Sequence, residues 1–199
     1  ALPRTFAIPS EEPEKQEKLI RIALDETNRL NLLTNNILVS SQLENKGFAS
    51  TKEELDFSAL VKDCIKDMQT RFPGRQIRSH IESELDIKGD ALLLQILLNN
   101  LLENAIKYSP SSSYIEATLK KEASQLQLQI ADQGIGIPAS EKKKIFDRFY
   151  RIGNETTRTT KGTGLGLYLC ERIAHHHQAT ITVKDNHPAG SIFLVNFAI

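Results

Sequence analysis

Apolar positions follow one rhythm up to about residue 46 and several others beyond it. Leu19, Ala23, Glu26, Leu30, Leu33, Ile37, Ser40 and Glu44 are spaced 4, 3, 4, 3, 4, 3, 4, a heptad seam with apolar residues at most positions. The spacing predicts one long helix over 14–46, opened near Pro13 and stopped by Asn45-Lys46-Gly47, with Gly47 as a left-handed cap. Ile20, Ile22, Leu24, Leu32 and Leu38 add apolar surface outside the seam, so the helix must pack against other helices. It can pack on its own domain or serve as an arm of an oligomeric bundle. The length of the seam, with nothing nearby to complete it, favours the bundle.

From residue 51 the period changes repeatedly. Lys52 to Phe57 reads as a strand, followed by a helix capped by Ser58 and running to about Arg71. Arg75 to Glu84 alternates like a strand. Gly89-Asp90 opens a strongly apolar helix that reaches Tyr108 and ends at Ser109-Pro110. Tyr114 to Lys121 and Gln125 to Ala131 alternate at period two and pair as a hairpin through Glu122-Ala123-Ser124. A short helix near Ser140–Asp147, a helix over Thr163–His177 and final strands at Thr180–Lys184 and Ser191–Ala198 complete the pattern. Helices mixed with antiparallel hairpins predict a two-layer α/β sandwich of the α+β class.

Composition narrows the function. The chain has 199 residues, 25 basic and 25 acidic, for a formal net charge of zero, which excludes a generally basic nucleic-acid binder. No apolar run approaches the roughly 20 residues that cross a bilayer, so no membrane segment is expected here. No signal peptide opens the chain. Cys64 and Cys170 have no CxxC partner and read as buried small side chains of a reducing compartment, with a cytoplasmic location.

Four segments carry candidate chemistry. Asn100, Asn104 and Lys107 stand at i, i+4 and i+7 of the apolar helix and share one face, two amides and an ammonium that packing does not need. An amide oxygen can take Mg²⁺ and a lysine can meet a phosphate. Asp132-Gln133-Gly134-Ile135-Gly136 follows a strand and sets an acid before two alternating glycines, suited to a flat ring bearing an exocyclic amine. Gly134-x-Gly136-x-x-Ala139 also fits a dinucleotide fingerprint, but the acid beside the pyrophosphate and Pro138 at the helix start count against it. Ile145 to Arg151 has aromatics that anchor a basic stretch: Ala139 to Lys161 holds seven basic and three acidic residues, net +4, which suits a lid over phosphates. Last, Lys161-Gly162-Thr163-Gly164-Leu165-Gly166 places three alternate glycines at a helix start, where free amides and the helix dipole favour an anion.

The order Asn-rich helix, Asp-x-Gly-x-Gly, aromatic-anchored basic loop and Gly-x-Gly-x-Gly resembles the N, G1, F and G2 boxes of sensor histidine kinases. Their ATP-binding Bergerat fold, a mixed sheet against three helices, is shared with the DNA gyrase B subunit, MutL and a heat-shock chaperone. The resemblance covers about 51–199. It implies that residues 14–47 are the second helix of a dimerisation and phosphotransfer hairpin and that 1–13 are a loop or a remnant of its first helix. It also implies ATP and Mg²⁺ as cofactors. Asn104 would be the Mg²⁺ ligand, with Asn100 assisting. Lys107 and Arg151 would meet phosphates, Tyr108 would border the nucleotide, Asp132 would bind the adenine amine, and Gly134 and Gly136 would border the base. Lys161, Gly162, Thr163, Gly164, Leu165 and Gly166 would cradle the phosphates. A response-regulator receiver domain and a second kinase subunit are the implied partners, and the full-length protein would be anchored in the cytoplasmic membrane.

Two departures stand out. His177-Gln178-Ala179 replaces the family's His-Gly-Gly turn, and the phosphorylated histidine with its following acid and Arg/Lys-x-Pro is absent. The chain therefore reads as a kinase portion that begins after its own acceptor. The resemblance also implies slow ATP hydrolysis, because relatives that hydrolyse ATP carry a glutamate where this chain has Asn100.

Overall fold

The computed structural model describes residues 11–44, 51–153 and 162–198. Its long helix α1 runs Glu11–Glu44, beginning three residues before the expected start. Pro13 is tolerated there because first-turn amides have no intrahelical acceptor to lose. The expected stop at Asn45–Gly47 lies outside the described residues.

The globular part follows as β1 (Glu53–Asp56), α2 (Phe57–Arg71), β2 (Gln76–Ile81), β3 (Asp86–Gly89), α3 (Ala91–Tyr108), β4 (Tyr114–Glu122), β5 (Gln125–Ala131), α4 (Gly166–His176), β6 (Ala179–Asp185) and β7 (Ser191–Ala198). Five strands form a mixed sheet in the order β2-β4-β5-β7-β6, parallel between β2 and β4 and antiparallel elsewhere. Alternate side chains of the central strands, including Ile115, Leu119, Leu128, Ile130, Val195 and Phe197, are buried in one core with Phe57, Met68, Leu97, Leu101 and Leu169 of the helices. This is the expected two-layer α/β sandwich.

Several local expectations change. Asp56, not Ser58, caps α2: its carboxylate accepts from the Ala59 amide at 2.8 Å. Ser58 is buried instead, donating to the Glu82 carbonyl at 2.7 Å and accepting from the Leu85 amide at 3.1 Å. Strand β3 was not expected; at four residues it is too short for its alternation to register, and it pairs antiparallel with β1 outside the main sheet. The helix expected over Ser140–Asp147 shrinks to one 3₁₀ turn at Lys144–Phe146. Helix α4 starts at Gly166 rather than Thr163, because Gly164 takes a left-handed φ of +73° and turns the chain away from the helix axis. The dinucleotide alternative fails here too: β5 is antiparallel to both neighbours and leads into turns, so there is no βαβ unit.

Two features set the frame of the site. Arg75 caps the C-terminus of α3, donating to the carbonyls of Ile106 (2.8 Å), Ser109 (3.1 Å) and Pro110 (2.6 Å). His177 ties the end of α4 to the start of α3: its Nε2 accepts from the Asp90 amide at 3.0 Å and its Nδ1 meets the Ile173 carbonyl at 2.8 Å. Asp90 itself caps α3 by accepting from the Leu93 amide.

Helix α1 divides along its length. Leu19, Ile20, Ile22, Leu24, Leu30 and Leu38 are exposed. Its last turns dock on the globular part: Asn36 and Ser40 are buried, Val39 and Leu43 pack against the core, and Glu44 accepts from the Tyr168 hydroxyl at 2.5 Å. Arg148 lies 3.7 Å from the same carboxylate. Packing on its own domain thus holds for the last turns of the helix.

Candidate functional site

The site is built around α3 and the glycine loop Gly162–Gly166, which run antiparallel along each other. At one end a Cβ on Gly166 would fall 2.7 Å from Asn100 Oδ1; at the other a Cβ on Gly162 would fall 2.7 Å from Lys107 Nζ. The polar stripe of α3 therefore faces the glycine loop, with Asn104 between its two neighbours on the same face. Asn100 donates through Nδ2 to the Ile96 carbonyl at 2.9 Å, which leaves its Oδ1 toward the loop.

Two cations converge on Gly162. Lys107 is one; Arg151 is the other, donating to the Gly162 carbonyl at 3.1 Å. Lys107 Nζ also lies 4.8 Å from the centre of the Tyr108 ring. The loop is pinned from the aromatic side: the Phe149 amide donates to the Gly164 carbonyl at 3.0 Å, and a Cβ on Gly164 would strike the Phe149 backbone at 2.6 Å. Phe149 accepts a φ of +64° to make this contact. Leu165 caps α4 without a side-chain hydrogen bond, so the first amides of the helix have no partner among the described residues. The Leu165 side chain is fully buried and offers the loop only its backbone, whose amide is taken by Thr163 Oγ1 at 3.3 Å. Arg148 lies 3.7 Å from Glu44 of α1 and 5.2 Å from the centre of the Phe149 ring. Lys161 lies outside the described residues.

Asp132 forms the other pole. It follows β5 directly and is 5 % exposed. Oδ1 accepts from the Gly134 amide at 2.8 Å and the Ser191 amide at 3.2 Å. Oδ2 has no partner among the described residues. Burial pushes the carboxyl above the usual range, and the two amides pull it part of the way back. Such a largely buried carboxylate, with one oxygen unpaired among the described residues, selects for a hydrogen-bond donor. Gly134 joins this pole to α3, since a Cβ there would fall 2.4 Å from the Tyr108 carbonyl oxygen. Gly136 takes a left-handed φ of +72° beside Gly190. Exposed Ile135 and half-exposed Tyr108 give the same region apolar surface.

The sequence reading missed the turn beneath Asp132. Asn186 donates through Nδ2 to the Asp132 carbonyl at 2.8 Å. Gly190, with φ +110°, lies so close that a Cβ would fall 2.0 Å from that oxygen. Asn186 to Gly190 connects β6 to β7, and nothing local marks it as a support for a residue 54 positions away.

Among the described residues no cluster of three or more His, Cys, Asp or Glu side chains could hold a metal. A cation held by amide and phosphate oxygens fits better: the Asn104 side chain is only part-buried and makes no hydrogen bond among the described residues, and Asn100 Oδ1 is left by its own amide bond. One or two amide oxygens beside bound phosphates and waters suit Mg²⁺, a hard cation that keeps part of its hydration shell.

The chain is similar to Sensor protein CiaH of Streptococcus pneumoniae, 46% identical over 113 residues that make up 57% of this chain and 26% of the relative. It is similar to the Sensor-like histidine kinase SenX3 of Mycobacterium tuberculosis, 28% identical over 186 residues, 92% of this chain and 45% of the relative. The chain thus spans less than half the length of these curated relatives. Among solved structures, the Acinetobacter baumannii histidine kinase AdeS shares the fold with a TM-score of 0.74 at 24% identity, covering 92% of this chain and 84% of that one. ShkA, solved full-length in complex with AMPPNP, matches with a TM-score of 0.77 at 22% identity, over 92% of this chain and 39% of that one. A family model described as Histidine kinase-, DNA gyrase B-, and HSP90-like ATPase matches residues 89–198, which hold the α3 stripe, Asp132 and the glycine loop, and the chain belongs to that family.

Proposed function

We propose that this chain is the ATP-binding catalytic portion of a histidine protein kinase of a two-component system. The observation that carries the reading is the paired geometry of the site, a buried carboxylate with one free oxygen at one pole and two cations with a glycine loop at the other. That arrangement suits adenine at Asp132 and a triphosphate along Gly162–Gly166.

Asp132 accepts the exocyclic amine of the base through Oδ2, and Tyr108 and Ile135 cover the ring. Lys107, Arg151 and the free amides at the start of α4 stabilise the charge that develops on the transferring γ-phosphoryl group. Asn104, assisted by Asn100, would hold Mg²⁺, which when bound neutralises phosphate charge. An imidazole nitrogen attacks the γ-phosphorus, the bond to the β-bridging oxygen breaks, ADP leaves and the imidazole gives up its proton. His177 cannot be that acceptor, since it is buried with both ring nitrogens engaged, and burial holds it below the usual histidine range. The acceptor comes from a hairpin helix in cis or on a second subunit, for which the exposed apolar residues of α1 provide a surface. A receiver-domain aspartate then takes the phosphoryl group. The reading sets the chain on the cytoplasmic side and assigns any membrane anchor to a longer protein; among the described residues no helix is long and apolar enough to cross a membrane.

The test mixes this chain with Mg-ATP labelled on the γ-phosphate and a separate histidine-bearing hairpin. Acid-labile, base-stable label on the hairpin supports the reading. ATP binding with no transfer to any hairpin favours a non-catalytic nucleotide module instead.

A further inference from the structure

We propose that Asn186, in the turn between β6 and β7, is a positioning residue that sets the base selectivity of the site by holding the backbone of Asp132. The proposal rests on the reading of Asp132 as the base-recognising carboxylate.

Every polar group of Asp132 except Oδ2 is engaged. Its amide donates to the Ser191 carbonyl at 2.9 Å, Oδ1 takes the Gly134 and Ser191 amides, and its carbonyl takes Asn186 Nδ2 at 2.8 Å. All but the last use main-chain groups that any residue would offer. The Asn186 bond is the one that depends on a side chain. It orients the Asp132–Gln133 peptide plane, and the next plane, Gln133–Gly134, delivers the Gly134 amide to Oδ1. Loss of the bond leaves a buried carbonyl without a donor and frees the first plane to rotate. The carboxylate then leaves the narrow distance range in which Oδ2 can bond an exocyclic amine.

Asn186 is itself oriented on both sides. Its Oδ1 accepts from the His187 amide at 2.9 Å, so Nδ2 is the atom presented to Asp132. Its own amide donates to the Gly190 carbonyl at 3.0 Å, which closes the turn. Next to it, Asp185 is held by Lys142 at 2.7 Å. Gly190 allows the close approach, because any side chain there would collide with the Asp132 carbonyl. An aspartate at position 186 would keep the bond to His187 but set a carboxylate oxygen against that carbonyl.

The measurement is calorimetric titration of the 199-residue chain with Mg-ATP and with Mg-tripolyphosphate, for the parent, Asn186→Asp and Asn186→Ala, each confirmed folded by circular dichroism. The ratio of the two affinities isolates the adenosine, the part of the ligand that Asp132 faces. Expected is a loss of about tenfold in ATP affinity for Asn186→Asp and a smaller loss for Asn186→Ala, with tripolyphosphate unchanged. Unchanged ATP affinity in both folded variants overturns the proposal. So does an equal fall in both ligands, which would mark a general loss of structure. A parent that binds ATP no tighter than tripolyphosphate overturns the underlying reading of Asp132 and the proposal with it. Should Asn186→Asp fail to fold, Asn186→Ala decides by the same ratio.

Discussion

Gly134 lies against the main chain of Tyr108 so closely that a Cβ on it would fall 2.4 Å from the Tyr108 carbonyl oxygen and 2.8 Å from Asp132 Oδ1. Neither neighbour is a flexible chain end: one is backbone at the end of α3, the other is held by two amides. Gly134→Ala must push α3 and the loop after β5 apart. It is expected to cost about 1–3 kcal/mol of stability, read by urea denaturation, and to weaken Mg-ATP binding at least tenfold. An alanine variant with parental stability would contradict the close approach.

Arg75 should matter to the site without touching ligand. Its guanidinium caps three carbonyls at the end of α3, one turn from Lys107. Arg75→Ala is expected to lower stability by about 1–3 kcal/mol, the usual range for losing charge-assisted hydrogen bonds at a helix end. Arg75→Lys should recover only part, because an ammonium cannot reproduce the planar fork. Equilibrium unfolding of the two variants checks the order.

His177 makes stability depend on pH. Burial is the main cause that holds its imidazole below the ordinary value near 6.5, with Lys52 and His176 adding repulsion. A histidine depressed in the fold favours the neutral form, so its contribution is complete above about pH 6.5 and is lost as pH falls through the depressed value. Protonation also removes the acceptor for the Asp90 amide. Thermal melts of the parent between pH 7 and 5 should fall more steeply than those of His177→Gln, which has a carbonyl acceptor and no titration. Parallel curves would count against this account.

Asn100 bears on hydrolysis. Its Oδ1 stands beside Gly166 at the glycine loop, four residues before Asn104 on the same helix. An amide there cannot act as a base for water. Asn100→Glu supplies a carboxylate, and general-base assistance is commonly worth about 10²-fold or more; a tenfold or greater rise in ATPase rate is expected. An unchanged rate measured by phosphate release would oppose the assignment.

Much of this architecture was legible because strong periodicities mark it. The hairpin of β4 and β5 emerged from plain alternation, and its observed register, Glu122 opposite Gln125, closes where Ala123 takes a left-handed φ. The stripe Asn100, Asn104 and Lys107 was visible from helical spacing alone, and it faces the glycine loop as that spacing required. What escaped reading depends on long-range contact. Asn186 and Gly190 support Asp132 across more than fifty residues, Arg75 reaches α3 from the loop before β2, and Asp56 displaced Ser58 as a cap because Ser58 was needed inside. Periodicity carries no signal for such pairings. Glycines were informative when clustered, as in Gly162–Gly166, and silent when single, as at Gly190.

The central claim is that Asp132 reads adenine while the glycine loop, Lys107 and Arg151 take the triphosphate. Calorimetric titration of the folded parent and Asp132→Asn with Mg-ATP tests it most directly. The substitution can keep an oxygen for the Gly134 and Ser191 amides but turns Oδ2 into a donor facing the amine of the base. It also removes a carboxylate whose ionised form burial disfavours, so the folded state should not weaken at neutral pH. The account predicts one saturable site in the parent and at least a tenfold loss in the variant at undiminished melting temperature. Equal affinities in the two proteins, or no binding by the folded parent, would contradict it.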